Sequence, residues 1–283
     1  STTTSTTTST TTSAAAVGWR ETLSRMMKGT SQNLRGAVFF SKHNASRFEF
    51  LLKDLCNLRP YGCVDSLTLD AALLGPPRVA VAATLASISP AAPFSFTSYQ
   101  LSEAGESIAT RTNAGLASSR HHLWQAVRAS SAAPYYLEDF LCGEDRFLDG
   151  GASVNNPTVL AIQQARALWP DLDPELVVSL GCGQPPKGKR GRGVFLESHV
   201  GSIQVTVESA TSVERVNEAM STLAPLVKGL TYVRMNPIDE RCNMELDAID
   251  VNAWTKLIQA TEDFVRTHEG DEALDTIAKA ILR

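Results

Sequence analysis

The feature that most narrows the possible folds is a series of short, almost uncharged apolar runs closed by glycine or proline and separated by helical patterns. Arg78 to Thr84 (RVAVAAT) follows Gly75-Pro76-Pro77, Arg146-Phe147-Leu148 runs into Asp149-Gly150-Gly151, and Leu176 to Leu180 (LVVSL) is closed by Gly181-Cys182-Gly183. The apolar runs Arg78 to Thr84 and Leu176 to Leu180 predict strands buried on both faces. Phe94 to Tyr99 alternates and predicts a half-exposed strand. Helical segments fall between and after them. Ser46 and Glu49 form a capping box for a helix whose stripe is Phe48, Leu51, Leu52, Leu55 and Leu58, ending at Pro60. His122 to Ala129 is helical up to the stop at Pro134, and Asn156 caps a helix with Pro157 in its first turn that runs to Trp169. Two helices close the chain: one capped by Asn252, with Trp254, Leu257, Ile258, Thr261 and Phe264 on one face, the other striped by Leu274, Ile277, Ala278 and Ile281. Residues 102–120 are polar and predict a loop. Strands of this type alternating with helices imply βαβ units, hence an α/β fold with a parallel or mixed sheet covered on both faces.

Composition narrows the functions. A net charge of -4 supplies no field to attract a polyanion, which excludes nucleic acid as the expected partner. The five cysteines are scattered and odd in number, so they read as reduced core thiols rather than a disulfide framework or a zinc site. No apolar run reaches the roughly 18 residues that cross a bilayer, so any membrane contact is expected to be peripheral. Residues 1–16 are a Ser/Thr tract with nothing to bury, expected to be disordered and without the layout of a signal peptide. Folding is expected over 17–283, in an intracellular setting.

Several residues invite a chemical reading. The loop Lys187-Gly188-Lys189-Arg190-Gly191-Arg192 reads as a solvated basic loop rather than a headgroup site. His121-His122 has no nearby cysteine or acid to complete a metal site and is better placed as a helix entry. Asp239, Glu240, Glu245, Asp247 and Asp250 miss the calcium-loop spacing and read as solvated surface. Asp149-Gly150-Gly151 is a common turn signal taken alone. Its context raises it: a strand delivers the carboxylate, two glycines let the backbone turn sharply, and a capped helix follows.

In that context the chain resembles the patatin-like lipid acyl hydrolases, with similarity toward their calcium-independent phospholipase A2 members. The resemblance rests on Trp124 to Pro134 (WQAVRASSAAP), Phe147 to Gly151 (FLDGG), Asn155-Asn156-Pro157 and Val178 to Gly183 (VSLGCG), in the order and approximate spacing of that family, with Cys182 where the family usually has Thr. It implies a three-layer α/β/α fold with a mostly parallel sheet, of which 17–283 would be a partial domain lacking the N-terminal strands. It also implies a Ser/Asp dyad in which Asp149 accepts the proton of a serine attacking a glycerophospholipid or other acyl-lipid ester, with no cofactor and no metal. The serine would sit in a G-x-S-x-G elbow, and this sequence has none. Gly29-Thr30-Ser31-Gln32-Asn33 offers Ser31 as the nearest match, but Asn33 stands in place of the second glycine and no buried strand precedes it. The alternatives are a non-catalytic lipid-binding or interaction module, or an inactive fragment.

Overall fold

The computed structural model describes residues 41–57, 77–111, 116–134, 136–186 and 212–282. The Ser/Thr tract, Ser31, Leu58, Pro60 and the basic loop 187–192 lie outside the described residues.

Five strands form one sheet: β1 (Ala80–Leu85), β2 (Ala92–Thr97), β3 (Leu116–Ser118), β4 (Phe140–Cys142) and β5 (Asp145–Asp149), in the order β3-β2-β1-β5-β4. β1 is central, pairing antiparallel with β2 (Ala83 opposite Phe94) and with β5 (Ala83 opposite Asp149). β4 and β5 form an antiparallel hairpin, with Gly143 at φ 64° in its tight turn, and only β2 and β3 run parallel here. A second sheet pairs β6 (Leu176–Leu180) with β7 (Thr231–Met235) in parallel. The fold is α/β as expected, but the sheet is mixed rather than mostly parallel. The connections 86–91 and 143–144 are too short for a crossover helix, and short connections bring strands back antiparallel.

Alternation along these strands separates two faces. Ala83, Leu85, Phe94, Phe96 and Phe147 share one face and form the core with Ala126 and Ala129 of α3 (Leu123–Ser130). Phe94, Phe96 and Phe147 meet with centroids 4.8–5.2 Å apart at tilted or edge-on angles, the arrangement aromatic quadrupoles favour. α1 (Ala45–Asn57) packs outside α3 and is held there by buried Arg128, whose Nε donates to Glu49 and whose Nη2 donates to the Glu138 carbonyl. The opposite face carries α2 (Glu103–Arg111), α4 (Gly151–Val154) and α5 (Thr158–Leu168), giving three layers. The second sheet is flanked by α5, α6 (Val213–Leu223) and α8 (His268–Ile281), with α7 (Val251–Val265) packed on α8.

Several local expectations change. The presumed loop 102–120 contains α2 and β3. Ser102 Oγ caps the Gly105 N–H, and Gly105 lies so close to α5 that a Cβ there would sit 2.3 Å from the Ala167 carbonyl oxygen, so tertiary packing overrides a polar sequence. α1 is capped by Asn44 rather than by a Ser46 box, because Glu49 is engaged with Arg128. α7 is capped by Asp250, whose carboxylate accepts from the Asn252 and Ala253 N–H groups, not by Asn252. β2 and the residues to Tyr99 are buried on both faces, not half-exposed. β1 is buried only toward its C-terminal half, and in β6 Leu180 is 72% exposed while Ser179 is buried. Leu51, Leu55, Trp254, Ile258, Leu274 and Ile281 are likewise exposed, so their helices bury narrower stripes than the sequence implies.

Candidate functional site

β5 brings Asp149 to its carboxyl end, and the backbone there is fixed on every side. The Asp149 N–H donates to the Ala132 carbonyl (2.9 Å), and the Asp149 carbonyl accepts from Thr84 Oγ1 (2.8 Å). Thr84 Oγ1 also lies 2.7 Å from Ser153 Oγ on α4. The first motif block, Trp124 to Pro134, thus supplies the carbonyl that seats the strand end carrying the second block.

The two glycines serve close approach rather than a left-handed turn. Gly150 has helical dihedrals (φ -58°, ψ -32°), which any residue adopts. A Cβ on Gly150 would lie 2.6 Å from the Ala82 carbonyl oxygen, and one on Gly151 would lie 2.8 Å from Asp149 Oδ1. The first glycine lets helix and strand backbones touch; the second lets the carboxylate fold over the start of α4. Asp149 Oδ1 accepts there from the Gly151 N–H at 2.6 Å. Burial pushes the Asp149 carboxyl above its ordinary value, and the Gly151 hydrogen bond opposes that shift.

The remaining blocks join the same construction. Asn156 Oδ1 accepts from the Thr158 N–H and hydroxyl, Thr158 Oγ1 lies 2.8 Å from Ser179 Oγ, and Arg234 Nη1 donates to Ser179 Oγ. Asn156 Nδ2 in turn donates to the Val213 carbonyl. Ser179 Oγ thus accepts from Arg234, and the Thr158 hydroxyl lies within reach of both Ser179 Oγ and Asn156 Oδ1, which links the three blocks in one polar chain. Arg234 is held from behind by Glu214, which also accepts from Asn236 and Asn217. Asn236 Oδ1 accepts from the Gly183 N–H, where φ is +83° and a Cβ would strike Cys242 Sγ at 2.6 Å. Cys182 itself is exposed, so its side chain is not part of this packing. Sequence reasoning missed Thr84, Ser153, Glu214 and Arg234. Only Arg234, a charge inside an otherwise apolar strand run, carried a signal that could have found it.

A cavity of about 220 Å³ adjoins the turn, walled by Ser153, Asn155, Asn156, Val159 and Pro93. A second, of about 860 Å³, opens between β2, β3 and α2 and also includes Pro93. The histidine pair is structural: the His122 N–H is capped by Gln125 Oε1 at the start of α3, while the His121 ring stands edge-on to Phe94 and Phe96. Burial holds His121 below the ordinary histidine value. Of the acidic group, Asp239 pairs with Arg241, which bridges to Asp263 on α7, and Asp247 takes Lys42 and His43; these are ties between segments rather than free surface charges.

Fold and site together define an α/β protein whose distinctive element is a partly buried carboxylate at a strand end, braced by the helix that follows. Residues 19–162 match the family model described as patatin-like phospholipase. The chain is 40% identical over 277 residues to "Phospholipase A I" of Arabidopsis thaliana, covering 89% of this chain and 21% of that protein. It is 32% identical over 171 residues to "Calcium-independent phospholipase A2-gamma" of Rattus norvegicus (58% of this chain, 20% of the relative), and 35% identical over 150 residues to the Homo sapiens protein of that name (50% and 18%). The chain belongs to the patatin-like phospholipase family. It spans about a fifth of the length of these relatives.

Proposed function

We propose that this chain is part of a lipid acyl hydrolase that cleaves glycerolipid ester bonds, with Asp149 as general base. The observation that carries the reading is the Asp149 turn: one carboxylate oxygen is tied to the Gly151 N–H, and Oδ2 has no hydrogen bond among the described residues. A carboxylate whose pKa is raised by burial is a stronger base, suited to accepting a hydroxyl proton. In the proposed reaction a serine hydroxyl attacks the ester carbonyl carbon, its proton passes to Asp149, and the tetrahedral intermediate collapses with that proton returned to the departing alcohol. Water, deprotonated by the same carboxylate, then releases the acyl group as a carboxylic acid and restores the serine. The serine would be contributed by polypeptide beyond this sequence, which holds no G-x-S-x-G. Among the described residues no helix is long and apolar enough to cross a membrane, and the proposed encounter with lipid is peripheral.

The test is acyl release from phosphatidylcholine vesicles by the full-length polypeptide. Asp149→Ala is expected to lower kcat by about 10²–10⁴-fold, and unchanged turnover in that variant would defeat the reading. This chain alone is expected to show negligible turnover. The missing serine motif also favours a second reading, a lipid-binding module without catalysis. Vesicle flotation by a full-length protein that hydrolyses no ester would select it.

A further inference from the structure

Thr84 carries the one side-chain hydroxyl of β1, a strand otherwise of alanine, valine and leucine, and it is 2% exposed. It follows Ala83, the residue opposite Asp149, and has Leu148 as its own partner on β5. Its Oγ1 donates to the Asp149 carbonyl at 2.8 Å. A threonine hydroxyl has a single proton, so in the 2.7 Å contact between Thr84 Oγ1 and Ser153 Oγ it is Ser153 that donates. Ser153 on α4 therefore holds Thr84, and Thr84 holds the carbonyl of the residue that carries the carboxylate. The N–H groups of Ser153 and Val154 both turn to the Gly150 carbonyl, so the first turn of α4 closes on Gly150 and not on Asp149.

The carbonyl held by Thr84 belongs to the peptide unit that joins Asp149 to Gly150. That unit is planar and stiff, so the chain can yield only at the dihedrals on either side of it. Rotation there moves Gly150, which lies against the Ala82 carbonyl, and moves the Gly151 N–H that ties Asp149 Oδ1 at 2.6 Å. On the other side of the Asp149 α-carbon, its N–H is fixed to the Ala132 carbonyl at 2.9 Å. Main chain is thus gripped before and after the side chain, and the direction of the carboxylate follows from that grip. Threonine suits the task because two heavy atoms on its Cβ restrict χ1, and the Ser153 hydroxyl narrows it further.

We propose that Thr84, seated by Ser153, is a positioning residue for the general base: by gripping the Asp149 carbonyl it sets the direction in which Oδ2 faces the reacting hydroxyl. The proposal rests on the hydrolase reading of Asp149 and adds to it the pair of hydroxyls that makes the base effective. Thr84 acts through that one carbonyl and not on the reacting atoms. When its grip is lost, the Gly151 N–H loosens from Oδ1. That hydrogen bond opposes the rise caused by burial, so its loss moves the Asp149 carboxyl further up.

Thr84→Val keeps the branched shape and removes the hydroxyl. In the full-length polypeptide it is expected to lower kcat about tenfold, short of the ~10²-fold of a displacement of about 1 Å, with KM changed by less than about twofold. The acid limb of kcat/KM is expected to move to higher pH. Thr84→Ser, which restores the hydroxyl, is expected to recover most of kcat and to bring the limb back. An unchanged kcat, a rise in KM in place of the fall in kcat, an unmoved acid limb, or a Thr84→Ser as impaired as Thr84→Val would each overturn the proposal. Ser153→Ala, at an exposed helix position, carries the test should Thr84→Val not fold. It is expected to lower kcat about threefold with the same upward movement of the limb, and wild-type kinetics in it overturn the proposal. A wild type that hydrolyses no ester defeats the hydrolase reading instead. Titration of the Asp149 carboxyl by carbon NMR in this isotope-labelled chain then decides the clamp: Thr84→Val is expected to raise its pKa above that of wild type, and coincident titrations overturn the clamp.

Discussion

The phenylalanine side of the five-stranded sheet and the polar join between α5 and β6 brace the same turn from opposite directions and by opposite physics. On one side Phe94, Phe96 and Phe147 fill space against α3, and their energy is burial, tolerant of small displacements. On the other, Asn156, Thr158, Ser179 and Arg234 fill little space but fix direction, since hydrogen bonds are satisfied only in a narrow geometry. The contrast teaches that the apolar side sets how stable the turn is, and the polar side sets where the helix after it points.

The largest expected effect is on the apolar side. Phe147→Ala removes a fully buried ring and is expected to cost about 3–5 kcal/mol in chemical denaturation; a loss under about 1 kcal/mol would remove the aromatic core from its place in this comparison. Next, Ser179→Ala removes the acceptor of Arg234 Nη1 and is expected to cost about 1–3 kcal/mol. Combined with Thr158→Val, it should show a coupling above about 0.5 kcal/mol in a double-mutant cycle. Strict additivity would mean that the polar chain does not act as a unit.

The smaller effects depend on pH. Below 6.5 the unfolded chain protonates His121 while the folded one, with its ring buried against Phe94 and Phe96, resists. Stability should therefore decline as pH falls from 6.5 toward the depressed folded value and level off beneath it. His121→Phe should flatten that decline, and an identical slope in both proteins would discount the residue. Asp149 works the other way. Its folded pKa lies above the unfolded 3.8, so the burial penalty is fully present above the folded value and disappears as pH falls through it toward 3.8. Asp149→Asn should raise Tm slightly at neutral pH and leave it unchanged near pH 3; a lower Tm at pH 7 would show that the charge stabilises its turn.

Much of this construction was legible in the sequence. Asp149, its two glycines and the blocks around them were visible because local chemistry and order along the chain both point there. The reason for the glycines was not, since close approach to Ala82 depends on a strand more than sixty positions away. Thr84 and Ser153 were invisible for the same cause: a hydroxyl in a strand or helix shows no partner until the sheet register puts Ala83 opposite Asp149. The 102–120 stretch was misread because its helix draws on contact with α5 rather than on its own composition. The strand and helix pattern allows a parallel or mixed sheet and the mixed one is found, because the connections 86–91 and 143–144, six and two residues long, bring their strands back antiparallel.

The contact between the Gly150 backbone and the Ala82 carbonyl oxygen has a consequence for how such a protein diverges. Main chain meets main chain there, so the acid's location is inherited from the peptide skeleton and not from the identity of any neighbouring side group. Variation along the surrounding walls can proceed while the carboxylate stays anchored, and loss of that one bare α-carbon would disturb its seat.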